Sequence, residues 1–159
     1  MGATADRQGV IVSCPSCGKS NRLRFPMLGK TIRCGSCRTN LPALAVPVDI
    51  ADAAAFDAAS RDSGLPLLVD FWAPWCGPCR MVAPELERLA KSSAGRYLIV
   101  KVNTDVVTEI AERFIVRSIP TLALVFHGRE IDRITGVRPA SEIDAFASRA
   151  LENAARRAS

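Results

Sequence analysis

The spacing of apolar residues divides the chain near residue 48. Beyond that point, long stretches carry clear strand and helix periods. Residues 65–72 read Leu-Pro-Leu-Leu-Val-Asp-Phe-Trp, the nearly unbroken apolar run of a strand covered on both faces. In residues 76–93, Met81, Val82, Leu86, Leu89 and Ala90 recur at helical spacing, which predicts a helix with that face turned inward. Residues 97–102 predict another buried strand, and residues 106–114 a short helix. Residues 121–126 and 130–135 predict two strands joined at His127-Gly128-Arg129. Residues 141–157 predict a closing amphipathic helix with Ile143, Phe146, Ala147 and Leu151 facing in, and the alanine-rich segment 52–63 predicts a weaker helix. This order gives an α/β sandwich of ~110 residues.

The first 47 residues are different. Only four short strand-like pieces occur there, at 10–13, 22–25, 31–33 and 39–41. Residues 41–47 hold two prolines and no charge, and predict an extended, partly packed linker. The expected division is therefore a small module and linker over 1–45 and a main domain over 46–159. A length of 159 residues suits that arrangement. With 48% hydrophobic and 23% charged residues, the composition excludes wholesale disorder. No apolar run approaches the ~20 residues of a membrane span. Residues 1–7 carry no apolar signal core, so a soluble, cytoplasmic protein, expected to be monomeric, is the starting expectation.

The net charge of +5 is unevenly placed: residues 1–47 hold seven bases and one acid, against 14 bases and 15 acids in the remainder. A basic module suits phosphates or acidic proteins, and equally a plain solvated surface. Its one aromatic residue, Phe25, offers no stacking platform, so nucleic acid is not the expected partner.

Six cysteines form three C-x-x-C pairs: Cys14 and Cys17, Cys34 and Cys37, Cys76 and Cys79. The first two pairs are separated by 16 residues, a spacing suited to a four-cysteine zinc site. Two residues between cysteines let a tight turn aim both sulfurs at one ion, and Gly18 and Gly35 are expected to give those turns their freedom. Four thiolates leave no open position on Zn2+, so the site is expected to be structural. Oxidation of its sulfurs, with loss of the metal, is a redox-sensing alternative. A module of ~40 residues also lacks the core to fold without such a staple. Two local disulfides or free thiols are the competing readings.

The third pair follows a buried strand and opens a helix. Cys76 lies just before the first turn and Cys79 three residues on, which puts both sulfurs on one face near disulfide distance. Free amides and the helix dipole favour a thiolate at Cys76, while Cys79 is shielded within the turn. One exposed attacker and one shielded resolver make a dithiol exchange pair. Pro78 is harmless in a first helical turn.

The stretch Val69-Asp70-Phe71-Trp72-Ala73-Pro74-Trp75-Cys76-Gly77-Pro78-Cys79 resembles the active-site signature of the thioredoxin family. Lys101-Val102-Asn103-Thr104-Asp105, Ser118-Ile119-Pro120-Thr121, Gly128 and Gly136 extend the resemblance over residues 48–159. With its four-cysteine ribbon, the chain is similar to the zinc-binding thioredoxin 2 (thioredoxin C) type. The resemblance implies a central mixed sheet flanked by helices and a general protein-disulfide reductase, recharged by an NADPH-dependent thioredoxin reductase. It implies that Cys76 attacks, that Cys79 resolves, that Asp70 accepts the Cys79 proton, and that Lys101 is the charge partner of Asp70. It also implies that Pro120 is cis, setting the Ile119 backbone beside the sulfurs, and that Trp75, Gly77, Pro78, Ile119 and Gly136 form a rim for substrate proteins. Trp72 is expected beneath the site. A zinc-ribbon adaptor carried on a thioredoxin-like scaffold is the alternative.

Overall fold

A computed structural model describes residues 2–158. In chain order its elements are β1 (Ala3–Asp6), β2 (Gly9–Ser13), β3 (Ser20–Leu23), β4 (Ile32–Arg33), β5 (Asn40–Leu41) and β6 (Val48–Ile50). These are followed by α1 (Ala53–Asp62), β7 (Leu67–Trp72), α2 (Gly77–Ser92), β8 (Leu98–Asn103), α3 (Thr108–Arg113), β9 (Thr121–Phe126), β10 (Arg129–Thr135) and α4 (Ala140–Ala158). The expected mixed sheet flanked by helices is present. It has eight strands in the order β10-β9-β7-β8-β6-β1-β2-β3, and β4 and β5 form a separate pair. β1, β6, β8 and β7 run parallel, and the outer strands are antiparallel.

Alternation along the central strands sorts the core into two layers. Leu67, Val69, Phe71, Val100 and Val102 pack on the α1 and α3 side with Phe56 and Ile110. Leu68, Ile99, Leu122 and Leu124 pack on the other side with Val82 and Leu86 of α2 and Ile143 of α4. α1 begins where the Asp52 side chain accepts a hydrogen bond from the Ala55 N–H (2.8 Å).

Two strands were not legible in the sequence. β1 and β6 are short, and neither carries a long apolar run. They pair in parallel (Ala3 with Val48, Ala5 with Ile50), so the N-terminal segment joins the main sheet and β2 and β3 extend it. The expected strand at 22–25 instead ends at Leu23, and a short 3-10 helix (Phe25–Met27) follows, started by Pro26. This drives Phe25 into the core shared with Phe56 of α1, and its carbonyl accepts the Gly64 N–H (3.0 Å). Met81 does not join the inward face of α2 and is 63% exposed. The buried stripe is Val82, Leu86, Leu89 and Ala90, and Met81 lies one residue, about 100°, round the helix from it.

Candidate active site and metal centre

β7 ends at Trp72, and the loop of Ala73, Pro74 and Trp75 turns into α2. Cys76 caps that helix: its sulfur accepts the Cys79 N–H at 3.2 Å. Cys76 and Cys79 are joined by a disulfide with a Cα separation of 5.3 Å. The exposed-attacker arrangement expected from the sequence is absent in this oxidised form, where both cysteines are only 4% exposed. The disulfide packs among Ala73, Trp72 and Ile119, which cover both sulfurs together.

β9 lies antiparallel to β7 with Thr121 opposite Phe71, and this register brings the preceding loop to the cysteines. The Ile119–Pro120 peptide is cis, and the Ile119 carbonyl oxygen stands 3.8 Å from the Cys76 sulfur. The Pro120 carbonyl accepts the N–H of Gly136, a residue whose φ of +88° favours glycine. Around the disulfide, Trp75 is 67% exposed, and a side chain at Gly77 would meet nothing within 4 Å.

Two residues brace this rim without having been singled out for it. Asp105 accepts the Trp75 indole N–H on both carboxylate oxygens (3.2 and 3.0 Å). The Arg80 guanidinium donates to the Pro74 carbonyl at 2.8 Å. Arg80 continues the C-x-x-C run, but no sequence period marks Asp105, 30 residues from its partner.

Asp70 is 1% exposed, in a strand otherwise apolar up to Phe71. Its Oδ1 has no hydrogen-bond partner among the described residues. Burial pushes the carboxyl up to about 7, with the charge of Lys101 acting in the opposite direction. Lys101 is the register partner of Asp70 on β8, and its ammonium lies 4.6 Å from the centre of the Trp72 ring. Trp72 is half-buried beside the disulfide, as expected.

The other four cysteines meet at the far end of the sheet. Their sulfurs all lie within 4.8 Å of one another, with Cys14 to Cys37 and Cys17 to Cys34 each 3.7 Å. Sulfurs about 2.3 Å from one tetrahedral centre would stand about 3.75 Å apart, so the cluster suits a metal ion. None of the four is in a disulfide. Each pair sits in the same turn. The Cys14 carbonyl accepts from Gly18 N–H and its own N–H donates to Lys19, while Cys34 repeats the pattern with Arg38 and Thr39. The sequence placed the glycine-dependent positions at Gly18 and Gly35. The structure puts positive φ at Gly18 (+77°) and Arg38 (+67°), because the residue after the second cysteine is the one that reverses the chain. At Cys34, the Cys37 N–H, the Asn21 amide and the Ser36 N–H draw the thiol down to about 6.

A helix-capping cysteine, bonded three residues on and covered by a cis X-Pro loop, defines a dithiol–disulfide exchange protein on an α/β sheet. The chain belongs to the thioredoxin family, whose model, described as Thioredoxin, matches residues 47–149. Over 78 residues it is 50% identical to thioredoxin 1 of Nostoc sp., covering 49% of this chain and 73% of the relative. Over 144 residues it is 35% identical to thioredoxin C-3 of Corynebacterium nephridii, covering 90% of this chain and 97% of the relative. Among solved structures, the thioredoxin of Malassezia sympodialis superposes with a TM-score of 0.61 at 29% identity, covering 69% of this chain and 93% of that one. The thiol–disulfide oxidoreductase reading follows from this membership together with the Cys76–Cys79 bond.

Proposed function

We propose that the protein is a general protein-disulfide reductase carrying a structural zinc site, of the zinc-binding thioredoxin 2 type. The observation that carries the reading is the Cys76–Cys79 bond at the N-terminus of α2, beside the Ile119 carbonyl. In the reduced protein the Cys76 thiolate, favoured by the helix N-terminus, attacks one sulfur of a substrate disulfide. A mixed disulfide forms and the other substrate sulfur leaves as a thiolate. Asp70 takes the proton of Cys79, and Lys101 is the charge partner of that carboxylate. The Cys79 thiolate then attacks the Cys76 sulfur, the second substrate thiolate leaves, and Cys76–Cys79 closes. Two electrons have passed to the substrate, and an NADPH-dependent thioredoxin reductase returns them.

The Ile119 backbone next to Pro120 pairs with an extended substrate segment, and Trp75, Gly77, Pro78 and Gly136 form the surrounding rim. The four-thiolate set of Cys14, Cys17, Cys34 and Cys37 would hold Zn2+ with no open position, and the ion would supply folding energy rather than chemistry. The 144-residue alignment with thioredoxin C-3 is longer than the family match at 47–149, which supports treating the module and linker at 1–45 as part of the same protein type as the domain at 46–159. No helix among the described residues is long and apolar enough to cross a membrane; likeness to a bacterial thioredoxin supports a cytoplasmic reductase. In the test, catalytic amounts of the protein, with thioredoxin reductase and NADPH, speed the precipitation of insulin chains, and Cys76→Ser abolishes the effect. Full activity in the serine variant would refute the reading.

A further inference from the structure

The register row that contains Asp70 reaches a second carboxylate. Asp70 pairs with Lys101 across β7 and β8, and Lys101 pairs with Asp49 across β8 and β6. Residues directly paired project from the same sheet face. The flanking residues identify that face: Val48, Ile50, Val69 and Val100 belong to the α1 layer, so the residues between them point to the α2 layer. The row is thus acid, base, acid, with the two carboxylate-bearing strands about 10 Å apart.

Asp49 and Lys101 open onto the same cavity, of about 330 Å3, walled by Pro47 of the linker and Leu86 of α2. The other charged groups on it, Glu87 and Lys91, both come from α2. From β9, Asp70 faces only the apolar Leu122. β1 adds the last part of the arrangement. Thr4 pairs with Asp49, so β6 is an interior strand and Asp49 is fixed in register instead of fraying at a sheet edge.

We propose that Asp49 is a positioning residue for the thiol chemistry: its exposed carboxylate, held in register beyond Lys101, offsets part of that ammonium's charge and so tunes the proton exchange of Asp70. The inference rests on the reading of Asp70 as the proton acceptor for Cys79. A carboxylate in this row disfavours a second negative charge at Asp70 and weakens the help that Lys101 gives. Removing it eases ionisation of Asp70.

The experiment follows the Asp70 carboxyl by carbon-13 NMR titration in the oxidised full-length protein, beside the pH profile of insulin reduction. Asp49→Asn is expected to lower the Asp70 midpoint by about 0.3–1 unit and Asp49→Lys by about twice as much. Glu87→Gln, on the same cavity but off the row, is expected to shift it by less than half the Asn effect. All three shifts shrink in ~0.5 M salt. The acid limb of the rate profile should move to lower pH with the midpoint. An unmoved midpoint in both Asp49 variants, or a Glu87→Gln shift equal to that of Asp49→Asn, overturns the inference. Asp70→Asn separates the two readings. If it keeps the wild-type acid limb, the proton-acceptor role fails and the proposal with it. If it loses that limb while the Asp49 variants leave the midpoint unmoved, only the Asp49 inference fails.

Discussion

Asp70 carries a large energetic cost in one side chain. Its carboxyl binds a proton near pH 3.8 when the chain is unfolded and near 7 when it is buried in β7. Between those values the folded state holds more protons than the unfolded one, so stability falls as pH rises from about 4 to about 7 and is flat on either side. Lys101 recovers part of the penalty. Asp70→Asn removes the titration: the variant should match the wild type below pH ~4 and exceed it at pH 8 by up to about 4 kcal/mol. Urea unfolding of the oxidised proteins at three pH values measures this, and a difference independent of pH would contradict the assignment. A group held at this cost, two residues before the Trp72 that packs on the disulfide, fits the proton acceptor proposed above.

α2 shows how one element serves packing and chemistry at once. Its N-terminus presents the capping sulfur of Cys76, while its inward stripe anchors the helix on Leu68, Ile99 and Leu122. Leu86→Ala should cost about 2–5 kcal/mol, and Met81→Ala, from the exposed flank, less than about 0.5. The two measured together locate the buried stripe. Gly64 marks a second element-level contact, where the turn after α1 meets the segment after β3. A Cβ there would come within 2.5 Å of the Leu28 carbonyl oxygen, so Gly64→Ala should lose about 1–3 kcal/mol, read as a lower denaturation midpoint. A Cβ there would also stand 3.2 Å from the Pro26 carbonyl oxygen, and the Gly64 N–H is already bonded to the Phe25 carbonyl, so moving Gly64 away from the clash would strain that bond.

For the whole molecule, the decisive feature is the continuity of the sheet. β1 joins β6, and one buried cluster includes Val10, Leu23 and Phe25 from the N-terminal segment with Phe56, Val100 and Phe71 from the rest. A shared core predicts shared unfolding. The metal-loaded protein should melt in one calorimetric transition, and removal of the ion by a strong chelator, or Cys14→Ser, should lower Tm of that transition instead of splitting off a minor one. Metal analysis should give one zinc per chain in the wild type and none in the serine variant. Two well-separated transitions in the loaded protein would show that the sheet contacts between β1 and β6 contribute little.

The chemistry was legible in the sequence because it is local. A C-x-x-C pair at a helix start needs only helix geometry to bring its sulfurs together, and each of the other two C-x-x-C turns aims its own pair of sulfurs through its own backbone hydrogen bonds. The long apolar strands and amphipathic helices were equally clear, since burial on one or two faces writes its period into the residues. What the tertiary structure alone decided is the joining of distant short segments. β1 and β6 have too few residues to show a period, and become strands only within the sheet, where β1 lies between β2 and β6 and β6 between β1 and β8. The same is true of the pairing of Asp105 with Trp75 and of the row from Asp49 to Asp70. Those contacts depend on strand register and loop position, which follow from how the whole sheet packs and leave no local signature in the residues themselves.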